Sequence, residues 1–249
     1  MSDDPIKPAL ARIKGRGAAT NREGRFEATR VEREDDGWFP EADLGATTRP
    51  ATTVTHERAR SIISRNDSPD IPFTQSINMF RGCEHGCFYC YARPTHSYLN
   101  LSAGLDFETR LTAKTNAAEQ LRIELARPGY VCSTINLGAN TDPYQPIERE
   151  QRLTRGVIEV LSECAHPLTI ITKNAMVERD LDLLAPMAEK QLVHVFLSVT
   201  SMDNMLSSKM EPRASAPHRR IAAIRRLHEA GIPVGVFVAP IIPMINDRD

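Results

Sequence analysis

Hydrophobic positions in the larger, carboxyl-terminal part of the chain follow two alternating patterns. Short apolar runs rich in β-branched residues recur, and apolar residues at helical spacing of three or four positions follow each run. The runs predict five strands, at 75–81, 134–137, 168–172, 192–200 and 233–239. The helical spacing predicts helices between them, at 114–127, 152–163, 179–190 and 217–230.

Strands that alternate with helices predict an α/β fold with a parallel sheet and right-handed crossovers, either doubly wound or curled into a barrel. Both arrangements place their binding sites at the carboxyl ends of the strands. Polar and unusual residues follow the predicted strands, at 81–90, 140–144, 173–174 and 240–243. We therefore expect a site along this rim of the sheet.

Residues 1–60 differ from the rest of the chain. They mix charges of both signs with Gly, Ala and Thr, and they show no sustained period. This composition predicts a mobile, largely disordered extension, followed by a folded core at 61–249.

Overall composition limits the class of protein. Of 249 residues, 41% are hydrophobic and 25% charged, as in soluble proteins with one main domain. The net charge of -1 gives no general attraction to nucleic acids or anionic membranes. The start of the chain lacks the apolar stretch of a secretory signal, and the nearly apolar run at 233–244 is too short to cross a bilayer. We expect a cytoplasmic protein without a membrane partner.

Three of the five cysteines lie within eight residues. Cys83, Cys87 and Cys90 form a C-x3-C-x2-C pattern in a loop with two glycines, which is typical of a metal or cluster site in a reducing compartment. Three thiolates would leave one iron of a 4Fe-4S cluster open to bind another molecule. A zinc site that recruits His85 or His96 as fourth ligand is the alternative.

The remaining cysteines have apolar neighbours in the sequence. Val131 precedes Cys132, and Leu161 lies close to Cys164. Free cysteines are among the residues most often found buried. Both are therefore predicted to be core thiols without a chemical role.

The pattern C-x3-C-x-aromatic-C, with Tyr89 as the aromatic residue, resembles the radical S-adenosylmethionine superfamily, as do the βα units that follow it. The resemblance covers residues 77–249 and implies a partial (β/α)6-type barrel. It implies that Cys83, Cys87 and Cys90 hold a 4Fe-4S cluster whose fourth iron chelates S-adenosylmethionine. One electron, from a donor such as flavodoxin or ferredoxin, then releases a 5'-deoxyadenosyl radical that abstracts hydrogen from the substrate.

Three features together resemble the subgroup that contains spore photoproduct lyase. They are the turn at Thr141 and Asp142, Lys173 at the end of the next strand and Ser198 on the strand after that. The resemblance implies that Tyr91 is catalytic and that seven residues bind the cofactor: Tyr89, Asn140, Thr141, Asp142, Lys173, Ser198 and Ala239. The superfamily's usual Gly-Gly-Glu-like turn is replaced here, and Asn140 and Asp142 are acceptors suited to an ammonium group. An Asx-Pro turn that only closes the loop is the alternative for these residues.

The substrate is left open by one difference from the lyases. They carry a hydrogen-donating cysteine just before the Thr-Asp turn, where this chain has Ala139 and Asn140. Nucleic acid is one candidate, since a group of arginines could contact phosphates; a solvated helix face is the alternative. The group comprises Arg213, Arg219, Arg220, Arg225 and Arg226.

The family's barrel has six βα units, whereas this sequence ends at Asp249, after the fifth predicted strand. We therefore expect a barrel truncated after that strand, with an exposed edge and apolar surface. The second hypothesis for the protein as a whole is a non-catalytic structural module that binds zinc or a cluster through the cysteine loop.

Overall fold

The computed structural model describes residues 13, 15–22 and 50–247. Its strands are β1 Thr53–Glu57, β2 Ile63–Arg65, β3 Gln75–Ile77, β4 Phe80–Arg81, β5 Arg110–Lys114, β6 Ile135–Leu137, β7 Leu168–Thr172, β8 Val193–Ser198 and β9 Val234–Phe237. Its α-helices are α1 Asp106–Thr109, α2 Ala117–Leu125, α3 Glu148–Gln151, α4 Leu153–Glu163, α5 Leu181–Glu189, α6 Asn204–Met210 and α7 Pro217–Glu229. Two 3-10 helices cover Arg93–Leu99 and Ala175–Asp180.

The main sheet has six strands in the order β2-β3-β6-β7-β8-β9. Strands β3, β6, β7, β8 and β9 are parallel to one another, and β2 is added antiparallel to β3 at the edge. The α/β class is confirmed, and the strands predicted at 134–137, 168–172, 192–200 and 233–239 are observed within two residues at each end. The strand predicted at 75–81 is wrong as a single element, because the chain forms two strands there, β3 in this sheet and β4 in a second sheet. Closure into a barrel and its truncation after the fifth unit stay predictions.

A second, three-stranded sheet has the order β1-β5-β4. It was missed because its strands are short and their pairing is non-local, with β1 lying parallel to β5. Strand β1 and the segment 15–22 lie within the 1–60 region assigned to an extension, and β1 pairs with β5. The boundary at residue 60 stays a prediction. The rest of that extension (1–12, 14 and 23–49) lies outside the described residues, so its predicted disorder stays a prediction.

The core lies between the main sheet and the helices that cross over between its strands. Strand β7 alternates buried and half-buried positions, and β6 is buried throughout. On α4, Val157, Ile158 and Leu161 are fully buried, as their helical spacing predicts. Within the described chain, no helix is long and apolar enough to cross a membrane.

Cys132 and Cys164 are both exposed, so their prediction as core thiols is wrong. Cys132 lies in the loop before β6, next to Val131, which is itself 69% exposed. Cys164 is the C-cap of α4, where the chain turns away from the core. Apolar neighbours in the sequence did not indicate burial at these positions because both lie where an element begins or ends.

Gly138 allows the loop after β6 to pass directly over β7. Its φ of +100° is in the left-handed region, and a Cβ there would lie 2.2 Å from the carbonyl oxygen of Ile171. Gly129 has a φ of +79°, but a Cβ there would meet no atom within 4 Å. The two glycines therefore share a conformation and differ in the space around them.

We expect Gly129→Ala to lower the free energy of unfolding by about 1–2 kcal/mol, the cost of a left-handed side chain. Gly138→Ala should lower it by about 1–3 kcal/mol more, because the new methyl group has to displace β7 backbone. Urea unfolding of the two variants measures the difference. Equal losses would show that the approach to Ile171 is not a tight constraint.

Candidate active site

The predicted site residues come together in two adjoining cavities at the carboxyl ends of the parallel strands. A cavity of about 80 Å³ lies against Cys83, Cys87 and Cys90, and one of about 800 Å³ opens beside it. Ligand cavities typically measure about 300–1,000 Å³, so the larger one has room for a cofactor. All of the predicted residues line one cavity or both: Cys83, Cys87, Tyr89, Cys90, Tyr91, Asn140, Thr141, Asp142, Lys173, Ser198 and Ala239.

The cysteine loop is held by backbone hydrogen bonds from outside the loop as well as within it. The amide of Cys83 donates to the carbonyl of Phe107 at 2.9 Å, and that of Phe88 donates to the carbonyl of Met210 at 3.2 Å. The guanidinium of Arg93 donates twice to the carbonyl oxygen of Cys87, at 3.0 and 2.9 Å. The loop is therefore fixed by segments that follow it in the chain.

The three thiols are free, and those of Cys83 and Cys87 are buried. Burial raises the pKa of Cys83 well above its usual value, and burial is also the largest cause that raises the pKa of Cys87 to about 12. Both thiols are then neutral near pH 7 in the metal-free chain, and coordination to iron would release their protons. Three soft sulfur ligands around a buried cavity fit an iron-sulfur cluster.

Asp142 joins the loop after β6 to β7 and to the cysteine loop. Its Oδ1 accepts hydrogen bonds from the Tyr144 amide at 2.8 Å and the Thr172 hydroxyl at 2.7 Å. Its Oδ2 accepts from the Lys173 amide at 2.8 Å and lies 3.3 Å from Nδ1 of His85. Burial by itself raises the pKa of Asp142, but His85 and these hydrogen bonds outweigh it and lower the pKa to about 2.

These four contacts match the roughly four lone-pair sites of a carboxylate. The bond from Tyr144 bridges Pro143, which is the Asx-Pro turn that the sequence offered as the alternative. Thr141 is also engaged within the protein, since its hydroxyl donates to the carbonyl of Phe80 at 3.3 Å. The geometry of Asp142 and Thr141 thus favours a scaffold over direct contact with a cofactor.

Asn140 differs from the two residues after it. Its backbone amide donates to Oδ1 of Asn78 at 2.9 Å, which fixes the backbone without engaging the Asn140 side chain. Asn140 lines both cavities. Of the three turn residues it is the one best placed to meet a ligand.

Tyr89 and Lys173 face each other across the larger cavity. The Nζ of Lys173 lies 5.9 Å from the centroid of the Tyr89 ring, within the range of a cation-π contact. The Tyr89 hydroxyl donates to Oε1 of Glu211. Burial, followed by the nearby Cys87 and Glu211, raises the pKa of Tyr89, so the phenol stays protonated.

The other predicted residues complete the wall of the cavity. Ser198, at the end of β8, is 4% exposed, whereas Ala239 follows β9 and is exposed. The side chain of Tyr91 is 76% exposed, and its hydroxyl donates to the carbonyl of Ala139. Tyr91 therefore bridges the cysteine loop and the loop after β6.

The two histidines considered as zinc ligands make other contacts. His85 is 1% exposed and pairs with Asp142, and Nε2 of His96 donates a hydrogen bond at 2.9 Å to the carbonyl of Arg110. His96 also packs edge-on against Phe107. In the described residues, no group of three or more His, Cys, Asp and Glu side chains is placed to hold a metal ion as it stands.

Several buried charged residues behind the cysteine loop were missed by the sequence analysis. Glu84 pairs with Arg213 at 3.0 Å, Glu108 pairs with Arg93 at 2.5 Å, and Glu211 pairs with Arg220. Each pair joins residues from different elements, and neither motif nor period marks a carboxylate that becomes buried in this way. The signal that existed was Glu84, a charged residue inside the cysteine motif itself.

The arginine group is not one basic surface. Arg220 is 1% exposed, so both the phosphate-binding and the solvated-face hypotheses are wrong for it. Arg226 lies 2.6 Å from Glu178 in an exposed ion pair, and Arg213 is paired with Glu84. Arg219 and Arg225 remain on the exposed side of α7.

Comparison with known proteins gives both a family and related folds. The model of the family described as "Radical SAM superfamily" matches residues 77–249. An uncharacterized protein of Mycobacterium tuberculosis (strain H37Rv) is 42% identical over 177 residues, which are 71% of this chain and 52% of that protein. An uncharacterized protein of Methanocaldococcus jannaschii is 30% identical over 171 residues, 69% of this chain and 61% of that protein.

The chain spans about half the length of the mycobacterial relatives it matches. Among solved structures, spore photoproduct lyase complexed with dinucleoside spore photoproduct has a TM-score of 0.53 at 18% identity, covering 76% of this chain and 52% of that one. A mutant of the same lyase with bound AdoMet and dinucleoside spore photoproduct has a TM-score of 0.54 at 20% identity, covering 76% and 51%. The fold is thus similar to part of that enzyme.

The family model covers well over half of the chain and begins just ahead of the three clustered cysteines. Parallel strands place those cysteines on the rim where such enzymes carry their sites. The chain therefore belongs to the radical S-adenosylmethionine superfamily of enzymes.

Proposed function

We propose that this protein holds a 4Fe-4S cluster on Cys83, Cys87 and Cys90 and cleaves S-adenosylmethionine reductively to start hydrogen abstraction from a substrate. The observation that carries the proposal is the convergence of residues from the cysteine loop and four strand ends on two adjoining cavities. When bound, the cluster and S-adenosylmethionine supply the electron and the 5'-deoxyadenosyl radical.

The residues of this chain would bind and orient the cofactor. Asn140 and Lys173 offer an acceptor and a positive charge near the cysteines, suited to the ammonium and carboxylate groups of an amino acid. Ile171 and Phe237 provide apolar wall in the larger cavity, suited to an adenine ring. Tyr91 and Ala239 line the same cavity, which fits the roles in catalysis and cofactor binding that the resemblance implies.

The substrate class we favour is nucleic acid. Support comes from the fold, which is similar to that of a lyase solved with a dinucleoside photoproduct. Arg219 and Arg225 on the exposed side of α7 are available for phosphate contacts, whereas the other three arginines of the group are paired with carboxylates. A one-electron donor such as flavodoxin or ferredoxin and a cytoplasmic location belong to the same proposal.

Anaerobic reconstitution with iron and sulfide tests the cofactor assignment. Metal analysis should give about four irons per chain, and dithionite with S-adenosylmethionine should then release 5'-deoxyadenosine. Stoichiometric zinc without iron, and no 5'-deoxyadenosine, would favour the structural module instead.

Ultraviolet crosslinking of the reconstituted protein to single-stranded and duplex oligonucleotides tests the substrate class. An absence of crosslinks to either kind of oligonucleotide would count against nucleic acid as the substrate.

Replacing any one of Cys83, Cys87 and Cys90 by Ala should abolish cluster binding, because two thiolates leave the cluster underligated. Cys132→Ala and Cys164→Ala are matched controls, since both thiols are exposed and lie outside the cavities. Iron content and visible absorption after reconstitution measure the effect. Full iron loading in a Cys87→Ala protein would refute the ligand assignment.

Asn140→Ala and Asp142→Asn should affect different properties. Asn140→Ala should weaken S-adenosylmethionine binding by about tenfold, as for one lost hydrogen bond to a charged group, and leave stability unchanged. Asp142→Asn should lower the free energy of unfolding by about 1–3 kcal/mol, because its amide nitrogen cannot accept from the donors that now bind the carboxylate. Equilibrium dialysis and urea unfolding measure the two effects. The opposite pattern would show that Asp142 is the ligand-binding residue and Asn140 the scaffold.

A further inference from the structure

The segment from the last residue of α6 toward α7, residues 210–215, lies against the back of the cysteine loop. Its backbone takes part in two hydrogen bonds with the loop, from the Phe88 amide to the Met210 carbonyl at 3.2 Å and from the Arg213 amide to the His85 carbonyl at 3.2 Å. A Cβ on Gly86 would lie 3.2 Å from the Pro212 ring. This segment, whose bonded residues are 122 and 128 positions from their partners in the loop, therefore forms the surface on which the cysteine loop rests.

Glu211 is the centre of the segment's polar contacts. It is 2% exposed, and its two carboxylate oxygens have different partners. Oε1 accepts from the hydroxyl of Tyr89 and, at 3.0 Å, from that of Thr200. Oε2 accepts from the guanidinium of Arg220, which is 1% exposed.

Arg220 extends this chain of contacts to the opposite wall of the cavity. Its Nη1 donates to the carbonyl of Ser198 at 2.8 Å, and its Nε donates to the carbonyl of Ser215 at 2.6 Å. Ser198 and Tyr89 both line the larger cavity. The path from Tyr89 through Glu211 and Arg220 to Ser198 is thus a continuous buried connection between two walls of one cavity.

We propose that Glu211 is a positioning residue that fixes the Tyr89 ring, and with it the Cys87–Cys90 part of the loop, relative to Ser198 across the cofactor cavity. Burying a carboxylate and a guanidinium is costly, and a well-packed apolar pair serves stability equally well. Here Glu211 also accepts a hydrogen bond from Tyr89, whose hydroxyl is the one that lies between Cys87 and Cys90 in the sequence. The part of this inference that concerns the cofactor rests on the proposed function.

Three variants separate positioning from stability. In Glu211→Gln the single amide oxygen has to serve the charged Arg220, so Tyr89 loses its bond to a charged oxygen and can gain only a weaker, neutral bond from the amide nitrogen. Tyr89→Phe removes the same bond and leaves the Glu211–Arg220 pair intact, which keeps the test valid where Glu211→Gln does not fold. Thr200→Val is the matched control, because it removes the other hydrogen bond to the same carboxylate oxygen without touching the cysteine loop.

The first measurement is amide hydrogen exchange on the metal-free chain. Exchange at Phe88 and Cys90 should be faster in Glu211→Gln and Tyr89→Phe than in the wild type, with β7 amides unchanged. Thr200→Val should match the wild type at all of these amides. Unchanged exchange at Phe88 and Cys90 in both loop-directed variants would overturn the inference whether or not the protein binds a cluster.

The second measurement is a titration of the reduced, reconstituted proteins with S-adenosylmethionine, followed by electron paramagnetic resonance. Glu211→Gln and Tyr89→Phe should keep wild-type iron content. They should need about tenfold more S-adenosylmethionine for half of the spectral change, because tenfold is the lower end of the loss in affinity or activity when a hydrogen-bond partner of a metal-site residue is removed. Half-saturation at the wild-type concentration, or iron and affinity lost together, would overturn the positioning role. A wild-type protein that takes up zinc and no iron would overturn the proposed function, and with it only the cofactor part of this inference.

Discussion

The carboxylate of Asp142 is the contact on which the geometry of the candidate site depends. It accepts hydrogen bonds from its own turn and from the end of β7, and it pairs with His85 inside the cysteine loop. A buried carboxylate is costly unless its lone pairs are satisfied. Through its contact with His85, Asp142 therefore ties the cysteine loop to the turn after β6 and to the end of β7.

The underside of the loop is held by a different kind of contact. Three buried or nearly buried carboxylates, at Glu84, Glu108 and Glu211, each pair with an arginine from another part of the chain. Such pairs add little net stability over apolar residues of similar volume, but each is strongly directional. Together with Asp142 they leave the loop fixed from both sides, while its cysteines face the cavities. A rigid support of this kind suits a site that must hold a cluster and a cofactor at a set distance.

Much of the fold could be predicted from local patterns. The strand at 168–172 has the observed bounds, and the helices at 152–163 and 217–230 are within one residue of α4 and α7 at each end, because long periodic segments with clear breaks specify their own structure. The small sheet was missed since paired residues of β1 and β5 are 57 positions apart in the sequence and neither strand has a period long enough to recognise. The helix predicted from residue 114 therefore took in the end of β5.

The sequence alone determined the family and the α/β class, and it placed the predicted residues on one rim of the sheet, because the cysteine spacing and the strand ends are local features. It did not determine which of those residues are free to meet a ligand. Thr141 and Asp142 directly follow Asn140 in the chain, yet their polar groups are bound within the protein, whereas Asn140 lines both cavities. The burial of Arg220 against Glu211 was likewise decided by tertiary structure. The reason is the same in each case: a polar side chain's role depends on partners from distant segments, which only the packed fold brings within hydrogen-bonding distance.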